Sequence, residues 1–124
     1  MKDHPVTIRN QSNPQMTPIR GMWCQSFLSR LRGFTFRSCL ERNEGLVLVE
    51  TRDSRIETSI HMLFVWTDLA VAWVNGEGEV VDITLAKSWR PFYGPRKPAR
   101  YVIEYHPARH GDLQPGDHIA FDHD

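Results

Sequence analysis

Apolar positions in this chain fall into short runs separated by turn-forming residues, a pattern of strands rather than of helices. Ile19 to Cys24 opens the series. Leu46-Val47-Leu48-Val49-Glu50 is rich in β-branched residues, and His61 to Val65 and Leu69 to Val74 are apolar runs too short for buried helices. Asn75-Gly76-Glu77-Gly78 joins Leu69–Val74 to Glu79–Leu85 and predicts a hairpin with positive φ at a glycine, with Gly76 as the position to test. Ala99 to Tyr105 alternates as a strand. Leu113-Gln114-Pro115-Gly116-Asp117 predicts a turn before a last strand, His118 to Phe121. Thr51 to Thr58 reads as a charged loop, and Ser88 to Pro98 as a loop rich in proline and glycine.

Helical signals are confined to one stretch. Ser26 can cap, Phe27, Leu28 and Leu31 share a face, and Gly33 can end the turn, which predicts a short helix over Gln25–Gly33. Phe34 to Leu40 is expected to add a helical turn. Residues 1–18 carry Pro5, Pro14 and Pro18 and read as a polar leader in which Val6-Thr7-Ile8-Arg9 can form a short strand. The expected fold is mostly β: a single compact antiparallel barrel or sandwich over residues 19–124, with one or two short helices.

Composition narrows the class. A chain of 124 residues and 14.4 kDa is the size of one domain. Its 40% apolar and 24% charged residues argue against a disordered or fibrous chain. Fifteen basic and fifteen acidic residues cancel, so no global field marks a nucleic-acid or membrane partner. No apolar run follows Met1, and Met62–Trp66 and Leu69–Val74 fall far short of the ~20 residues of a membrane helix, so a cytoplasmic location is expected. Cys24 and Cys39 have no Cys-x-x-Cys context and are expected to be reduced thiols.

Several enzyme signatures are missing from the sequence. It contains no phosphate-binding Gly-x-x-x-x-Gly-Lys-Ser/Thr, no Gly-x-Gly-x-x-Gly, no Gly-x-Ser-x-Gly elbow and no His-Glu-x-x-His zinc helix. His106 and His110, with Asp112 and His118 nearby, have chelating residue types, but Pro107 and Gly111 bracket a segment that reads as a loop. No metal and no cofactor are therefore expected. Lys87, Arg90, Arg96, Lys97 and Arg100 follow one another without an intervening acid, interleaved with Trp89, Phe92 and Tyr93. That composition suits a nucleotide or a single strand, while the blander account packs the aromatics down and turns the cations to solvent. His61 stands in an apolar run and must find a partner or face a cavity. Arg32 and Arg37 flank Gly33 and can present guanidinium forks to an anion, or pair with Glu41, Glu44 or Glu104.

The order of Arg32-Gly33-Phe34-Thr35-Phe36-Arg37, Gly45-Leu46-Val47-Leu48, Ile60-His61-Met62-Leu63-Phe64, Gly76 to Val81, Pro98-Ala99-Arg100-Tyr101-Val102-Ile103-Glu104 and Gly116-Asp117 resembles the domain of unknown function 192 family over about Ile19 to Phe121. Arg32, Gly33 and Arg37 match the family's Arg-Gly-Leu-Met-x-Arg segment, with Thr35 in place of its methionine. Of its Trp-Met-Lys-Asn-Thr stretch only Met62 is kept, and the aspartate of its Pro-Leu-Asp falls at Ala70. The resemblance implies a small, mostly antiparallel β domain with short helices, and no established activity, cofactor or partner.

Three functions fit these residues. The first is a non-catalytic binding module for a small anion or a protein partner, held by Arg32, Arg37, His61, Arg100 and Glu104. The second is a small enzyme with His61 and Glu104 as its acid–base pair. The third is a nucleotide or single-strand binder using Trp89 to Arg100, disfavoured by the charge balance.

Overall fold

The computed structural model describes residues 3–25, 41–60, 62, 67–90 and 93–123. Strand makes up 54% and helix 6% of them. The strands are β1 (His4–Asn10), β2 (Ile19–Cys24), β3 (Glu44–Ser54), β4 (Leu69–Val74), β5 (Val80–Ala86), β6 (Ala99–Tyr105) and β7 (Ile119–His123). They form one sheet in the order β5-β4-β6-β3-β2-β1-β7. The sheet curls into a half-barrel. Its two ends meet through a bridge between Glu79 and His118. Every pairing is antiparallel except β2 with β3, which run parallel with Trp23 beside Val47. Residues 25–43 connect that pair, long enough for the crossover a parallel pair requires.

Alternation along the strands gives the sheet two buried faces. Val6, Ile8, Trp23, Val47, Val49, Ala72, Ile103 and Tyr105 belong to the concave core. Cys24, Leu48, Leu69, Val71, Trp73 and Val102 belong to a second core on the other face. This explains why β4 is an unbroken apolar run: all six of its residues are buried. Trp73 satisfies its indole N–H on the carbonyl of Thr58 at 2.7 Å. Curling brings strands together at Gly45, where a Cβ would stand 2.9 Å from the Ile19 side chain and 3.0 Å from the carbonyl oxygen of Glu104.

Several expectations hold. β2, β4 and β6 occupy the predicted ranges, and the Asn75–Gly78 hairpin turn and the Pro115-Gly116 turn are both present. Others need correction. Thr51 to Ser54 continue β3 rather than form a loop, because a register shift after Val49 lets Ser54 pair with Ala99. Pro107–Asp112 is a 3₁₀ helix rather than a loop: Pro107 presets φ at its start, and the His106 ring caps it by accepting from the Ala108 amide at 3.0 Å. The positive φ of the hairpin turn is at Gly78 (88°), not Gly76. The short strand expected over Val6-Thr7-Ile8-Arg9 is present as part of β1, which pairs on both sides, with β2 and with β7. Apart from Gln25, the helical signals over 25–40 lie outside the described residues. The apolar run 61–65 is described only at Met62.

Candidate functional site

β6 carries both described members of the expected site, Arg100 and Glu104. Tyr101, Ile103 and Tyr105 point into the concave core, so Val102 and Glu104 lie on the opposite face. Leu46 of β3 and Val71 of β4 stand directly beside Glu104 in the register. The carboxyl is thus set among apolar side chains, and the residue is only 5% exposed. Its carboxyl makes no hydrogen bond or ion pair within the described residues. Burial raises its pKa to about 7, so near neutrality the group is divided between acid and carboxylate.

Arg100 lies four residues earlier, about 13 Å along an extended strand. Its Nε donates to the carbonyl of Glu50 at 3.0 Å, and its guanidinium carbon sits 5.5 Å from the centroid of the Tyr101 ring. The side chain runs beside the β4–β5 turn, 3.8 Å from where a Cβ of Gly76 would be. Asp53 accepts from the Gly76 amide at 2.8 Å and fixes the turn there. Below the turn lies a groove of about 370 Å³ with Val80, Val81, Pro98 and Pro115 as apolar walls and Asp53, Glu79 and Lys97 as charged ones. Arg32, Arg37 and His61 lie outside the described residues.

The basic loop is firmly tied at its start. Asp68 accepts from the Ser88 amide at 2.8 Å and pairs with Lys87 Nζ at 3.4 Å. The Ser88 amide, helped by Lys87, holds the Asp68 carboxyl below its usual range. The Lys87 amide donates to the Tyr93 hydroxyl at 2.8 Å. The histidines near the C-terminus do other work: His106 caps the 3₁₀ helix and the carbonyl of His110 accepts from the Tyr105 hydroxyl. Burial, with the nearby Asp112 charge, pushes that hydroxyl's pKa well above its ordinary value. Among the described residues no three His, Cys, Asp or Glu side chains gather as a metal site.

Sequence reasoning passed over Arg109. It is 3% exposed, donates to Asp112 and Asn43 at 2.8 and 3.2 Å, and also donates to the carbonyl of Thr17. It pins the 3₁₀ helix to the segments before β2 and β3. Its i, i+3 spacing from Asp112 was the available signal. Trp89, in a left-handed backbone, was also missed as a special position, and nothing in its neighbours' identities marks it.

The comparisons agree with this architecture. The chain is 37% identical over 99 residues to a UPF0127 protein of Thermococcus gammatolerans, covering 78% of this chain and 63% of that protein. It is 40% identical over 79 residues to one from Thermococcus kodakarensis, covering 64% of this chain and 48% of that protein. The chain thus spans about half to two thirds of the length of these relatives. A Pyrococcus furiosus UPF0127 protein is 37% identical over 86 residues, 69% of this chain and 71% of its own length. Among solved structures, a Sinorhizobium meliloti protein provisionally described as a transcription regulator superposes with a TM-score of 0.80 at 14% identity, over 97% of this chain and 94% of its own. A protein of unknown function from Novosphingobium aromaticivorans gives 0.79 at 21% identity, over 94% and 83%. At such identities these two likenesses speak for the fold alone. Residues 8–121 match the profile of the family described as DUF192, an uncharacterised ACR, and the chain belongs to that family.

Proposed function

We propose that this small β domain is a non-catalytic binding module, and that it receives a small anion or an anionic segment of a protein partner at Arg100, beside the β4–β5 turn, and Lys97, the one cation among the described residues lining the groove. One observation carries the reading. The Nε of Arg100 is spent on Glu50, while its two terminal nitrogens and the Lys97 ammonium have no hydrogen-bond or ion-pair partner in the described protein. A guanidinium held by its Nε and by an aromatic face offers a preset fork to a carboxylate or phosphate. The proposal extends to Arg32 and Arg37 as further forks, and to His61 as a group whose protonation adds positive charge.

Titration with phosphate, sulfate and acetate, followed by amide NMR, tests it. Saturable shifts are expected together at Gly76, Lys97, Arg100 and Gly116, weakened in Arg100→Ala. Shifts scattered over surface cations, or lost at ~150 mM salt as screened contacts would be, reject it.

Glu104 favours a second reading, an acid–base pair with His61. A buried carboxyl with a pKa of about 7 can hold or release a proton at neutral pH. An anion response that survives Arg100→Ala and disappears in Glu104→Gln would favour this reading over the first.

A further inference from the structure

Trp89 is the one non-glycine residue in the described chain with a positive φ, 66°. A bulky side chain strains that backbone, and such strain persists only where the surroundings over-determine it. Here they do. The Trp89 amide donates to the carbonyl of Met62 at 2.7 Å, and the Met62 amide donates back to the carbonyl of Arg90 at 2.8 Å. Met62 is fully buried, so this two-way clamp is anchored in the second core. On the other side the Ser88 amide is held by Asp68.

Strain of this kind is ordinarily offset by burying the ring, yet Trp89 is 41% exposed, whereas Trp23 and Trp73 are 7% and 1% exposed. A glycine would fit the backbone without strain. The loop therefore presents a large flat ring partly to solvent from a left-handed backbone. Lys87 and Arg90 flank it, both exposed; Lys87 pairs with Asp68 at 3.4 Å, and Arg90 has no ion pair among the described residues. Zero net charge describes the whole chain, but residues 87–100 hold five cations and no acid. An indole face accepts planar rings by stacking, and neighbouring cations neutralise a phosphate.

We propose that Trp89, set out on its clamped loop between Lys87 and Arg90, is a stacking platform for a nucleobase whose phosphate Arg90 neutralises. This does not depend on the groove. The same chemistry is offered by a free nucleotide and by a single strand, and the test separates them.

The intact chain would be titrated with adenosine monophosphate and with oligoadenylate, following the Trp89 indole N–H by NMR, assigned through its loss in Trp89→Phe. A saturable shift of that signal is expected. Affinity should fall about tenfold or more in Trp89→Gly and only slightly in Trp89→Phe, which keeps a stacking ring. Tighter binding of the oligomer, weakening steeply between ~20 and ~150 mM salt, identifies a strand; equal binding of the two identifies a free nucleotide. Thermal unfolding supplies an independent readout: Trp89→Gly should melt at a higher temperature than the parent, because it relieves the strain. A lower melting temperature would make Trp89 a packing residue and overturn the proposal. So would the absence of a saturable indole shift with either ligand.

Discussion

The amide of Ile119 donates to the carbonyl of Gly78 at 2.8 Å, so the last strand is joined to the β4–β5 turn where the two edges of the half-barrel meet. Gly78 makes this contact with a φ of 88°, and a Cβ there would stand 3.1 Å from the carbonyl oxygen of Ile119. Both the conformation and the space require glycine.

Gly78→Val is therefore expected to lower unfolding free energy by about 2 kcal/mol, combining left-handed strain with a close contact. Gly76 has no positive φ, and a Cβ there meets Asp53 at 3.5 Å, an ordinary contact. Gly76→Val should cost less. Urea unfolding of the two variants side by side checks the order, and equal losses would contradict this account of the closure.

Arg109 and Arg9 give a second contrast. Removing Arg109 leaves the Thr17 carbonyl and the Asn43 amide oxygen without their donor and Asp112 without its cation, beneath a 3₁₀ helix. Arg109→Ala should cost about 2 kcal/mol, because it empties the buried guanidinium site and removes three hydrogen bonds, while the half-exposed Asp112 left behind is solvated by water. Arg9 pairs with Asp122 in a bridge whose side chains are 54% and 53% exposed. Arg9→Ala should cost at most about 1 kcal/mol, because water and salt screen it. A loss of the same size in both variants would show that Arg109 is not the clamp of the 3₁₀ helix.

The strands most legible in the sequence are those with period-two or unbroken apolar patterns. β4 and β6 lie where the pattern puts them because both faces of the sheet are buried around them. The far end of β3 was illegible for the opposite reason: Thr51 to Asp53 are exposed and carry no apolar alternation, and only their pairing beyond a register shift makes them strand. Pro107–Asp112 looked like a loop because its stability comes from distant groups, Thr17 and Asn43, that no local pattern reveals. Of the candidate site, Glu104 and Arg100 are legible as residue types. That one is desolvated and the other held by a backbone carbonyl depends on the neighbours β3 supplies.

Glu104 makes the pH dependence of stability predictable in sign. Its pKa is raised from 4.5 to about 7 in the folded state by burial. Between those values the folded chain holds a proton that the unfolded chain has released, so stability falls as pH rises. The loss begins above the unfolded pKa and is complete once pH passes the folded value. A shift of this size corresponds to a loss on the order of 3 kcal/mol. Glu104→Gln keeps the shape and removes the charge. Its stability relative to the parent should therefore improve from pH 5 to about pH 7 and level off above it, a difference in which the contributions of all other titrating groups cancel. Urea unfolding of both proteins at unit pH steps, with carboxyl carbon NMR to follow the Glu104 titration directly, measures it. A parent-to-variant difference that stays flat across this range would mean that the carboxyl finds a charged or hydrogen-bonding partner in solution and is not the isolated buried acid described above.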